Sequence, residues 1–96
     1  MIKRIVKMSF KPEKVNEFKI IYKESNVFIS SFKGCSHVEL MQDKTNPNIF
    51  FTYSVWDAEE FLEEYRNSAL FESVWSKTKI LFNAKPEAWT VEDVLQ

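Results

Sequence analysis

The sequence predicts an α+β protein, a ferredoxin-like βαββαβ sandwich in which a four-stranded antiparallel sheet carries its helices on one face. Three observations predict it. Ile49-Phe50-Phe51-Thr52-Tyr53-Ser54-Val55-Trp56 is β-branched or aromatic almost throughout, which suits a strand buried on both faces. Asp57 follows at once, with Glu60 three residues on, the pattern of a capping box that opens a helix. The rest of the chain divides by hydrophobic period into strand, helix, strand, strand, helix pair and strand. Ninety-six residues are enough for one core, so residues 1–96 read as a single domain.

Each element has its own warrant. Ile2 to Phe10 alternates, with Ile2, Val6, Met8 and Phe10 on one face, Arg4 interrupting them, and Lys3, Ile5, Lys7 and Ser9 on the other. Lys11-Pro12 ends that strand, because proline suits the first position of a helix, and Phe10 and Val15 are spaced to staple the helix start. Val15, Phe18, Ile21, Tyr22, Ser25, Phe28, Ile29 and Phe32 then keep helical spacing, with a break expected near Asn26. Lys33-Gly34 is a helix C-cap. Residues 36–41 alternate as a second strand, Ser36, Val38 and Leu40 against His37, Glu39 and Met41. Asp43-Lys44-Thr45-Asn46-Pro47-Asn48 is the turn of a hairpin to the third strand. Phe61, Leu62 and Tyr65 stripe the next helix, which ends near Arg66-Asn67. Asn67 or Ser68 caps another that bears Leu70, Phe71, Val74, Trp75 and Thr78, with Leu81 and Phe82 extending its inner face. Pro86 closes this segment, and residues 88–94 alternate as a fourth strand. One sheet face is then left bare and partly apolar, which a homodimer burying two such faces would resolve.

Composition excludes several function classes. A single glycine, Gly34, cannot supply a P-loop or a dinucleotide fingerprint. One His and one Cys cannot build a nitrogen/sulfur zinc site, and Cys35 has no disulfide partner within the chain. A net charge of −1 argues against a nucleic-acid surface. No run approaches the roughly 18 apolar residues of a membrane span, and Met1 to Lys7 has no signal-peptide core, so the expected location is cytoplasmic. Basic residues in the first quarter and the acidic Glu59–Glu64 segment are spaced along elements, as solvated faces are.

Taken whole, the chain resembles the antibiotic biosynthesis monooxygenase superfamily, the dimeric α+β barrels. The resemblance is carried by Phe10-Lys11-Pro12-Glu13, Phe32-Lys33-Gly34-Cys35, Ser54-Val55-Trp56-Asp57, Tyr65-Arg66-Asn67-Ser68-Ala69-Leu70-Phe71 and Pro86-Glu87-Ala88-Trp89, in that order over nearly the whole length. It implies a homodimer whose two sheets form a barrel, with a small cavity in each subunit between sheet and helices. It also implies cofactor-free oxygenation of polyphenolic or anthrone-like substrates, quinol oxygenation, or, in other members, haem degradation. Two departures bear on the choice. Many members carry His where this chain has Tyr65. Haem-degrading members place Trp there and a haem-ligating His ten residues later, where this chain has Trp75, which cannot ligate iron.

Oxygenation without a cofactor needs a dry apolar pocket, a proton acceptor, and a hydrogen-bond donor for reduced oxygen. His37, the one side chain that ordinarily titrates near neutrality, is the candidate base, although a lone histidine along a strand is also a common surface residue. Tyr65, on the inner stripe of its helix, is the second candidate catalytic residue, as a donor; its alternative is a core-edge tyrosine. Trp56, Phe71 and Trp75 are candidate walls of the substrate site, with Tyr22 beside them and Asn67 at the mouth; Asn67 is equally a helix cap. Arg4 is the odd residue of its register, to be explained by an ion pair across a dimer interface, a place at the sheet margin, or an anion. The reading is a cofactor-independent, metal-free monooxygenase of a small aromatic or quinol substrate. The alternative is a non-catalytic dimeric barrel that binds a small apolar molecule.

Overall fold

A computed structural model describes residues 1–95, and its elements follow the expected order. They are β1 (Ile2–Ser9), α1 (Val15–Ser30), β2 (Cys35–Gln42), β3 (Ile49–Trp56), α2 (Glu59–Arg66), α3 (Ala69–Lys79) and β4 (Glu87–Glu92). The four strands form one sheet in the order β2-β3-β1-β4, antiparallel throughout, and the three helices lie on one of its faces. This is the ferredoxin-like sandwich, an α+β fold. No helix among the described residues is long and apolar enough to cross a membrane.

Local chemistry accounts for most boundaries. Pro12–Lys14 forms a short 3-10 turn, and the α-helix proper begins at Val15. The break expected near Asn26 is absent: α1 runs unbroken to Ser30. Phe28 is 62% exposed and does not join the inner stripe. At about 100° per residue it points some 80° away from Phe18, whereas Ile29 returns to the buried face. Gly34 does not cap α1, whose C-cap is Ser31; it sits in the turn into β2 with φ +85°. A Cβ there would overlap the Phe61 ring.

The capping box expected at Asp57 does not form. α2 starts after Ala58 with no side-chain cap, and the Asp57 backbone N–H donates to the Gly34 carbonyl at 2.8 Å. Ser68 does cap α3, its hydroxyl accepting from the Phe71 N–H at 3.1 Å. Beyond α3, Leu81 is buried although it lies outside the helix, and β4 ends at Glu92, two residues short of expectation.

The core gathers where β1 and β3 meet α1. Phe10 stacks on Phe18 at 4.1 Å between ring centres, and Phe50 meets both edge-on. Met8 and Leu81 complete the buried cluster, with Val15 packed against it. Backbone bonds from Lys11 to Leu81 and from Asn83 to Ser9 stitch the chain after α3 to the end of β1. β3 is not buried on both faces. Phe50, Ser54 and Trp56 are buried under the helices, while Phe51, Tyr53 and Val55 on the outer face are half-buried. One helical layer covers one face.

Candidate functional site

Strand alternation and register lay out the floor of a cavity. Even-numbered residues of β1 and β3 face the helices, and cross-strand pairing sets them in rows. Val38, Ser54, Arg4 and Thr90 make one row, one residue from each strand; Leu40, Thr52, Val6 and Ala88 make the next. Above these rows the helices do not close fully on the sheet. They leave a cavity of about 300 Å³, roofed by Tyr22 and Ile29 from α1, Leu62 and Tyr65 from α2, and Phe71, Val74 and Trp75 from α3. That volume is at the small end for ligand pockets, which run from roughly 300 Å³ upward.

The walls are a continuous aromatic arc. Trp56, fully buried at the end of β3, stacks on Tyr65 at 5.1 Å and 28°. Tyr65 meets Phe32 and Phe71 edge-on. Phe71 lies nearly parallel to Trp75 at 5.8 Å, and Trp75 reaches Phe82, which abuts Phe10. The arc follows from helical spacing: Phe71 and Trp75, four residues apart, share a face of α3, and Leu62 and Tyr65, three apart, share a face of α2.

Few polar groups break this lining. Ser54, buried, accepts from the Trp56 indole N–H at 3.0 Å and fixes the ring in its slot. Tyr65 is mostly enclosed, and burial pushes its hydroxyl up to about 12, with Cys35 and Tyr22 adding a smaller push. It is a neutral phenol at pH 7, a donor and not a base. Burial likewise raises Tyr22, whose hydroxyl is buried beside the cavity and has no hydrogen-bond partner among the described residues. Arg4 donates from Nη1 to the Thr90 hydroxyl at 2.7 Å. Burial, then the neighbouring Arg66 cation, pulls Arg4 below the usual guanidinium value, with Glu63 opposing; an arginine still keeps its proton.

The expected site residues divide. Tyr65, Trp56, Phe71, Trp75 and Tyr22 come together around the cavity. His37 does not: the alternation that turns Val38 and Leu40 inward turns His37 onto the opposite sheet face, where Nε2 lies 3.1 Å from Glu39 Oε1. It has no access to the cavity as a base. Asn67 is a cap, its side-chain N–H donating to the Glu63 carbonyl at 2.9 Å, and it lies outside the lining. Arg4 does not lie at a margin of the sheet; it faces the cavity from β1, an inner strand. Ser54 was not singled out by sequence, although it shares the even register of Phe50 and Trp56. Among the described residues no group of three His, Cys, Asp or Glu side chains could hold a metal ion.

Residues 1–74 match the sequence model of a family described as antibiotic biosynthesis monooxygenase. Solved structures share the fold closely. A conserved protein from Methanosarcina mazei Go1 superposes with a TM-score of 0.93 at 24% identity, covering 97% of this chain and 92% of its own. A crystal structure of an antibiotic biosynthesis monooxygenase gives 0.93 at 18% identity, covering 99% and 100%. A protein from Nitrosomonas europaea, proposed to be such a monooxygenase, gives 0.91 at 15% identity, covering 99% and 100%. No curated protein matches the sequence.

Proposed function

The chain belongs to the antibiotic biosynthesis monooxygenase family, and from that premise we propose that it oxygenates a small aromatic or quinol substrate in this cavity, without a resident cofactor. The observation that carries the reading is the cavity itself, a space of about 300 Å³ inside an aromatic arc with few polar groups. An electron-rich ring that has lost its hydroxyl proton gives an electron to dioxygen, and the radical and superoxide recombine if water is kept away. For a quinol, one oxygen atom enters the ring and the other leaves as water, every electron coming from the substrate. The Trp56–Tyr65 stack supplies a flat wall for the ring, and the Tyr65 hydroxyl, kept neutral by its surroundings, supplies the donor for reduced oxygen.

A second reading, a binding protein that holds a small apolar or aromatic molecule unchanged, draws on another observation. Among the described residues no His, Cys, Asp or Glu lines the cavity, so no side chain there is poised to take a proton at neutral pH. Oxygen uptake separates the two. Purified, metal-free protein is offered anthrones, dihydroxynaphthalenes and quinols without added flavin or iron. Uptake above autoxidation, reduced at least about tenfold in Tyr65→Phe, is the expected result and matches a lost oxyanion donor. Ligand binding with no uptake from any bound compound would leave the binding protein as the better reading. The functional unit in either case is a homodimer, since the outer sheet face presents Ile5, Phe51, Tyr53 and Val55 half-buried and Met41, Trp89 and Val91 exposed.

A further inference from the structure

Arg4 occupies a position where the fold has no structural use for a charge. Its neighbours along the inward face of β1 are Ile2 and Val6, and its row on the sheet is Val38, Ser54 and Thr90. A cation held partly out of water is costly unless a partner offsets it. Among the described residues Arg4 makes no ion pair, and Thr90 accepts one of its N–H groups while offering no charge. The carboxylate nearest in influence, Glu63, is engaged by Arg66 at 3.3 Å. Arg66 also lines the cavity. Two guanidinium groups, with Glu63 near enough to act on Arg4, thus stand at one end of an apolar cavity that has no other charged lining residue among the described residues.

We propose that Arg4, fixed by Thr90 and seconded by Arg66, is an oxyanion site, and that the cavity takes an aromatic molecule with an anionic oxygen at that end. The oxygen is the ring's own ionised hydroxyl or that of an appended carboxylate; both fit a planar donor fork. The proposal rests on the cavity's being the ligand site, as argued above. It also supplies what the lining lacks. A cavity without a base can still receive an activated phenol if the phenol has given its proton to water before binding and a fixed cation selects that ionised form from solution. Ser54, beside Arg4 in the row and already accepting from Trp56, has a hydroxyl hydrogen to offer the same oxygen.

The test compares three probes, 2-naphthol (neutral), 2-naphthoate (anionic) and 4-nitrophenol, whose yellow anion and colourless acid coexist near neutral pH. Binding is read from quenching of tryptophan fluorescence, since Trp56 and Trp75 wall the cavity. Wild-type protein should bind 4-nitrophenol as the yellow anion, shifting its absorbance titration to lower pH. Arg4→Met should weaken at least one of the two anionic probes by about tenfold or more while changing 2-naphthol less than about twofold. Loss confined to 4-nitrophenol identifies the ring oxygen as the anion; loss confined to 2-naphthoate identifies an appended acid. Arg4→Lys should keep part of the preference, because charge survives and the fork does not. The colour readout needs only wild-type protein, so poor folding of a variant does not remove the test. Binding of 4-nitrophenol as the colourless acid, or equal anion affinities in wild type and Arg4→Met, would overturn the oxyanion site alone. Failure of all three probes to bind would overturn the ligand cavity with it.

Discussion

Tyr65 is held by rings on several sides: Trp56 lies flat against it, and Phe32 and Phe71 present their edges. The folded protein therefore holds the phenolic proton more tightly than an unfolded chain does, about 12 against an ordinary 10.0. Because the folded value is the higher one, this contribution to stability is whole below pH 10 and is lost as pH rises from 10 to about 12. The loss reaches at most about 2–3 kcal/mol. Tyr65→Phe should flatten that alkaline limb in denaturant melts followed against pH, and remove the highest step from the tyrosinate absorbance titration. An unchanged alkaline limb would mean that the hydroxyl meets water. The sequence made Tyr65 legible because three-residue spacing from Leu62 is a local property of a helix. His37 stands out by its chemistry, and chemistry carries no position; the inward face of its strand is marked by Val38 and Leu40. Arg4 was visible as the charge interrupting its register, but what it meets depended on Thr90, 86 residues away.

Turns and caps were only half legible, since they depend on which of two local options tertiary packing favours. Ser68 caps α3 even though its backbone N–H is bonded to the Tyr65 carbonyl at the end of α2. Asp57 had the same chemistry, yet its backbone is committed to Gly34, and α2 begins one residue later without a side-chain cap. Gly34 is not the C-cap of α1 that the sequence suggests; the position needs glycine for another reason. It combines a positive φ with the approach of Phe61 from α2, so that the β2 turn and α2 can touch. Gly34→Ala should cost roughly 1–3 kcal/mol, more than backbone strain alone, because the Phe61 ring must also move. Chemical denaturation of Gly34→Ala beside Gly34→Ala/Phe61→Ala separates the two parts: the double variant should recover the steric share relative to Phe61→Ala and keep the backbone share. If Gly34→Ala is as stable as wild type, the close approach is not a constraint.

At the scale of the molecule, the order of elements was written in hydrophobic period. The coverage of β3 was not, because an apolar run does not say how many layers will cover it. The outer face has Ile5 near its centre, paired across the strands with Tyr53 and with Trp89. Native mass spectrometry at micromolar concentration should find a dimer, and Ile5→Glu, a charge placed in that apolar centre, should shift it to a folded monomer. A wild-type monomer would leave the face without its proposed occupant. The row Val38–Ser54–Arg4–Thr90 carries a further consequence. Each of its members comes from a different strand, so this end of the cavity comes into being only when the first and the last strand have paired. Closing so long a loop is slow and entropically costly, and it rewards the chain only at the end. Ligand competence is thus a late event in the folding of this chain, reached by the same step that completes the sheet.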